Sequence, residues 1–272
     1  MKFAICNEIF QNWKIEDIFS YVSELGYDAV EIAPFTLANS VEDIPLAERQ
    51  RMRKAAGQAG VEIAGIHWVL AKPDGLHISH LEPAIRQRTA NYLSQLVDFC
   101  ADLGGTRIIF GSPKQRNVLP GVTSQQARQW TAEGFRNPVT RAEERGVTIC
   151  LEPLGPTDTN FINTAEEAIE FVSAFNSPHF QIILDTKAMC TEAKPIPEII
   201  RNSWPHFAHF HANDRNLKGP GFGDVDFKPI AAALREVGYN GYVSVEVFNF
   251  DEGPRVIASK SLEYLRRVFG AG

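Results

Sequence analysis

Short apolar runs alternate along this chain with longer stretches in which apolar residues recur at every third or fourth position. The short runs, rich in Val, Ile and Phe, predict β-strands over 3–6, 29–32, 62–66, 107–110, 147–151, 181–184, 207–211 and 242–247. Each is followed by a stretch of helical period, over 14–25, 46–59, 82–103, 124–145, 164–175, 196–202, 227–237 and 254–269. Apolar strands of this kind are buried on both faces, as in a parallel sheet flanked by helices with right-handed crossovers. Eight such units favour an α/β fold closed into a (β/α)8 TIM barrel over an open doubly wound sheet. The dinucleotide-binding form of the open sheet would need a GxGxxG after the first strand, and none follows it.

The polar positions punctuate these elements. Glycines in LGY, AGV, LGG, RGV and VGY (Gly26, Gly60, Gly104, Gly146 and Gly238) each separate a helical stretch from the next strand, where a left-handed residue closes a helix. Thr164 followed by Glu167 forms a capping-box sequence. The glycine-rich GPGFG at 219–223 follows the seventh strand without entering a helix, and reads as a flexible loop at the barrel mouth. No linker or low-complexity tract interrupts the chain, so one domain is expected over 1–272.

Composition narrows the class. A length of 272 residues suits one barrel, for which about 250 is typical. A net charge of −6 argues against binding nucleic acid through its phosphates, while leaving room for a small anionic substrate. Cys6, Cys100, Cys150 and Cys190 show no metal or redox spacing, and three lie in or beside apolar runs, as free thiols in a reducing cytoplasm do. The apolar start is too short for a secretion signal, and no run approaches the roughly 20 apolar residues of a membrane helix. A soluble cytoplasmic protein is expected.

In a barrel of this type the active site forms at the C-terminal ends of the strands. Those ends supply Asn7 and Glu8, Glu31, His67 and Trp68, the GSPKQR run at 111–116, then Glu152, Asp185, His211 and Glu246. The last four end four successive strands, one βα unit apart. Any one alone would pass for an ordinary polar strand end. Together they place three carboxylates and an imidazole at one side of the mouth, and the carboxylates would repel one another without a cation. An oxygen-rich set favours one divalent ion, Mn2+, Mg2+ or Co2+, with Zn2+ also open.

LEPL (151–154), LDT (184–186), HFHAND (209–214) and VEVF (245–248) resemble the sugar phosphate isomerase/epimerase superfamily. This is the xylose isomerase-like TIM-barrel group, which also holds the ketose 3-epimerases and the endonuclease IV barrels. GPGFGDVDF (219–227) and GSPKQR extend the likeness to its sugar-handling members. The resemblance implies one metal on Glu152, Asp185, His211 and Glu246, with Glu152 and Glu246 moving a proton next to a carbonyl through a metal-stabilised enediolate. It also implies a small sugar or keto-sugar as substrate and homodimers or homotetramers. Where the 3-epimerases carry a further glutamate, a histidine and an arginine, this chain has Asp158, Ala188 and Leu217. The metal set is kept and the ketose-recognising set is not.

The other candidates for substrate contact are His67 and Trp68, the cations Lys114, Arg116, Lys187, Arg215 and Lys218, and Asp158. His67 reads equally as a packing residue, and loop cations are often plain surface charge. His209 shares a strand face with His211 and is expected beneath it, while Glu31 is expected at the mouth. His77, His80, His179 and His206 are expected at the surface. The leading function is a metal-dependent sugar isomerase or epimerase. A lyase or dehydratase acting on a keto-inositol or 3-keto-glycoside needs the same metal and base, and a non-catalytic sugar-binding barrel needs neither glutamate. A DNA-repair endonuclease is disfavoured by the acidic balance.

Overall fold

The computed structural model describes residues 1–270; the last two residues of the expected domain lie outside the described residues. Eight parallel strands close on themselves in chain order: β1 (Lys2–Cys6), β2 (Ala29–Ile32), β3 (Glu62–Ile66), β4 (Arg107–Phe110), β5 (Thr148–Leu151), β6 (Phe180–Asp185), β7 (Phe207–Ala212) and β8 (Tyr242–Val245). Around them run α1 (Ile15–Leu25), α2 (Leu46–Ala59), α3 (Pro83–Asp102), α4 (Ser124–Arg145), α5 (Ala165–Ser173), α6 (Thr186–Met189), α7 (Ile196–Ser203), α8 (Phe227–Glu236) and α9 (Pro254–Phe269). The expected TIM barrel is the observed fold.

Alternation along each strand decides what faces where. Ile5, Val30, Ile108, Phe110, Ile149, Leu151, Ile182, Leu184, Phe210 and Val243 pack outward against the helices in one continuous core. On the α3–α4 side, Phe135 is wedged between Phe110 and Phe180, with ring centroids 4.9 and 4.8 Å away. The inward positions begin with the small residues Ala4, Ala29 and Ala64 and with Ile109, Cys150 and Ile183. The next inward positions are polar: Glu31, Glu152, Asp185, His209, His211 and Glu246. The chain therefore fills the lower barrel with apolar side chains and reserves its upper layers for chemistry. Asp185 and His211 sit opposite each other in the β6–β7 register.

Differences from the expected elements are local. The short α6 follows β6 directly and was not foreseen, because TKAM is too brief to show a helical period. Asp185 caps it, its Oδ1 accepting from the Ala188 N–H at 2.8 Å. His77 is buried rather than at the surface, packed in the long β3–α3 loop where its N–H donates to Thr89. Glu31 is not at the mouth either; it is fully buried inside the barrel, beneath His211. None of the helices among the described residues is long and apolar enough to cross a membrane.

Candidate active site

Four side chains converge where β5 to β8 end. The candidate ligand atoms of Glu152, Asp185, His211 and Glu246 all lie within 4.8 Å of one another, and all four residues are buried. His211 Nδ1 stands 3.1 Å from a Glu246 oxygen and 4.0 Å from Asp185 Oδ2. The charge balance shows why a cation fits. Burial, then the nearby Glu246 and Asp185, push the Glu152 carboxyl up to about 8. Burial and Glu246 raise Asp185 to about 6. Burial also opposes ionisation of Glu246, but His211 outweighs it and holds that carboxyl below its ordinary value. Three carboxylates cannot all ionise here at neutral pH without a positive charge among them. The donor set, its closeness and its repulsion fit one divalent ion.

A second set of residues aims the first. Glu31 accepts from His209 Nε2 at 2.7 Å and from His211 Nε2 at 3.0 Å. With Nε2 engaged, His211 turns Nδ1 toward the carboxylates. Burial works against the charge on Glu31, yet the two histidines keep its carboxyl well below the ordinary range. Asn213 donates to Asp185 Oδ2 at 2.5 Å. Arg116, fully buried, donates to the backbone carbonyls of Glu152 at 2.6 Å and Ile162 at 3.5 Å, so it braces the end of β5. Gly111, just after β4, leaves room for the Glu152 carboxylate, which a Cβ at that position would overlap.

Above the cluster opens a cavity of about 250 Å3. His67, Trp68, Glu152, Asp158, Lys187 and Glu246 line it, together with Leu217 and Phe248. Lys187 pairs with Asp158 at 2.7 Å and lies 5.0 Å from the centroid of the Phe248 ring. Trp68 holds a left-handed backbone (φ 52°), a conformation costing a non-glycine residue about 1–3 kcal/mol. Of the candidate substrate residues, His67, Trp68, Asp158 and Lys187 meet at this cavity. Lys114 and Arg215 are exposed away from it, and Lys218 pairs with Glu252 at 2.7 Å. Arg116 is near, with Nη1 and Nη2 engaged by backbone carbonyls and Nε without a partner.

Sequence reasoning missed the roles of Glu31, Asn213, Gly111, Leu217 and Phe248. Period-two counting gives two of them. Asn213 follows His211 by one alternation, and Phe248 follows Glu246 in the same way.

The model of the xylose isomerase-like TIM barrel family matches residues 19–268. The chain belongs to that family. It is 35% identical over 268 residues to a D-psicose 3-epimerase of Enterocloster bolteae, covering 93% of this chain and 84% of the relative. A 3-dehydro-D-guloside 4-epimerase of Escherichia coli is 27% identical over 98% of this chain and 99% of its own length. The solved D-psicose 3-epimerase from Clostridium cellulolyticum H10, with D-tagatose, superposes with a TM-score of 0.87 at 23% identity, covering 99% of both chains. That last likeness bears on the fold alone.

Proposed function

We propose that this xylose isomerase-like barrel is a divalent-metal-dependent sugar epimerase that removes and returns the proton next to a carbonyl, with Glu152 and Glu246 as its acid–base pair. The observation that carries this reading is the placement of two buried glutamates at one small cavity, one from the end of β5 and the other just past β8. Inverting a carbon needs a proton taken from one face and given to the other, hence two groups on different walls. A divalent ion held by Glu152, Asp185, His211 and Glu246 would polarise the substrate carbonyl when bound. His67, held by Glu8 at 2.7 Å, and Lys187, held by Asp158, would orient substrate hydroxyls. Trp68 and Phe248 add aromatic side chains to the lining of the cavity.

The names of the relatives support epimerisation over loss of a neighbouring group. They also support a small sugar as substrate.

The test is incubation with Mn2+, Mg2+ or Co2+ and a panel of ketoses and keto-sugars in D2O. Deuterium should enter at the carbon beside the carbonyl, and Glu152→Gln and Glu246→Gln should each slow entry about 10²–10⁴-fold, the usual worth of a positioned acid–base group. A bound metal without exchange in any substrate would sink the reading. A conjugated enone or a released leaving group would replace it with β-elimination.

A further inference from the structure

The GPGFG run, read in the sequence as a flexible mouth loop, is fastened at several points in the structure. The chain leaves β7 and turns tightly at once. The Leu217 N–H donates to the Asp214 carbonyl at 3.0 Å, and the Asp214 N–H donates to the Lys218 carbonyl at 2.9 Å. Asp214 also holds the arm that returns towards α8. Its side chain is fully buried, and Oδ2 accepts from the Val225 N–H at 3.1 Å. The carboxylate lies so close to Gly223 that a Cβ there would overlap Cγ and both oxygens. One residue therefore ties the two arms of the loop together, by its backbone at the start and by its carboxylate at the end. Oδ1 is buried without a partner, a cost to stability that the hold on the loop has to offset.

The loop in turn holds the chain beyond β8. That strand stops at Val245, and Glu246 follows it, its N–H donating to the Ala212 carbonyl at 3.3 Å. The Phe248 and Asn249 N–H groups then both donate to the Leu217 carbonyl, each at 2.9 Å. Leu217 keeps a left-handed backbone (φ 71°), which a non-glycine residue does where its surroundings enforce it. Glu246 thus stands between two fixed points, Ala212 at its own N–H and Leu217 just after it. The Leu217 and Phe248 side chains that meet through this contact also line the catalytic cavity.

We propose that Asp214 is a positioning residue for Glu246. Its carboxylate closes the 214–225 loop, the closed loop presents the Leu217 carbonyl, and that carbonyl fixes the segment carrying Glu246 and Phe248. Gly223 is required because the carboxylate occupies the space a side chain would take. The role given to Glu246 rests on the proposed epimerase reading, whereas the clasp itself does not.

The experiment follows amide hydrogen exchange of the full chain in chelator by mass spectrometry, and titrates the same preparations with Mn2+. In Asp214→Ala, and separately in Gly223→Ala, peptides covering 214–225 and 246–250 should exchange about tenfold faster or more, while those of α3 and α4 keep their rates. Gly223 has no left-handed backbone, so a methyl there acts through the carboxylate contact rather than through strain. Mn2+ should bind each variant about tenfold more weakly, because one of its four proposed ligands is loosened. With the carboxylate gone, the methyl added at 223 has room. The double variant should therefore be no worse than Asp214→Ala alone, a non-additivity that distinguishes a direct contact from two separate lesions. Asp214→Asn keeps an acceptor for Val225 and should fall between the parent and the alanine variant, and it carries the test if the latter fails to fold.

Unchanged exchange over 246–250 in Asp214→Ala overturns the proposal. So do additive losses in the double variant, and faster exchange spread evenly over the barrel. Loosening confined to the two segments with unaltered Mn2+ affinity also overturns it, for the clasp would then not reach Glu246. If the unaltered chain binds no Mn2+, the metal-dependent epimerase reading falls, and the exchange pattern alone decides the clasp.

Discussion

Glu31 shows how one buried residue can govern a site it does not enter. Its carboxylate receives hydrogen bonds from His209 and His211, and no solvent reaches it. An ionised carboxylate accepts at both oxygens, so both histidines present Nε2–H to Glu31, and His211 Nδ1 is turned toward Asp185 and Glu246. Glu31→Gln keeps the shape but offers one acceptor and one donor. One histidine must then reverse its tautomer or lose its partner. Partners of this kind typically contribute about 10–100-fold to metal affinity. Titration of the metal-free variant with Mn2+ should therefore show binding weakened on that order. Unaltered affinity would show that His211 is oriented by packing alone.

At the scale of elements, the strands place these groups by register, and register depends on close approaches. Gly65 in β3 faces the Arg107 carbonyl of β4, and a Cβ there would overlap that backbone oxygen. Gly65 pairs with Arg107 in the ladder, just past the irregularity in the β2–β3 register. Gly65→Ala should force the two strands apart and destabilise the fold by about 1–3 kcal/mol, as overpacking does. Chemical denaturation should show a lowered midpoint, and an unchanged one would mean that the β3–β4 seam yields freely.

The elements themselves were legible because each long helix has a clear apolar period and each strand a compact apolar run. Four metal candidates were legible because they end successive strands. Glu31 was misplaced for a physical reason. In AVEI it looks like a terminal polar residue, and only the barrel's closure reveals the two histidines that make its burial tolerable. His77 was misread because a loop as long as that between β3 and α3 can fold back on itself and bury its own polar groups. Arg116 carried the right motif, but its guanidinium serves the backbone, and sequence cannot distinguish a brace from an anion site.

For the whole molecule, the carboxylate cluster is a source of instability when no cation is present. The raised Glu152 and Asp185 groups bind protons more tightly in the folded chain than in the unfolded one. Folding stability then depends on keeping those protons. The contribution is complete below the ordinary carboxylate range, near pH 4. It is lost as pH rises through about 6 for Asp185 and about 8 for Glu152, since the folded state binds more protons over that interval. Metal-free protein should therefore melt at progressively lower temperature between about pH 5 and about pH 9. Saturating Mn2+ or Mg2+ should raise the melting temperature most at the alkaline end, because an ion that binds only the folded state stabilises it by mass action and cancels the repulsion. Glu152→Gln removes one of the competing charges. Without metal it should melt higher than the unaltered chain at pH 9, although it disables the proposed acid–base pair. Melting curves across pH, with a chelator and with metal, would decide the point: a flat profile in chelator, or a variant less stable than the parent at pH 9, would mean that the cluster is not held together against its own charge.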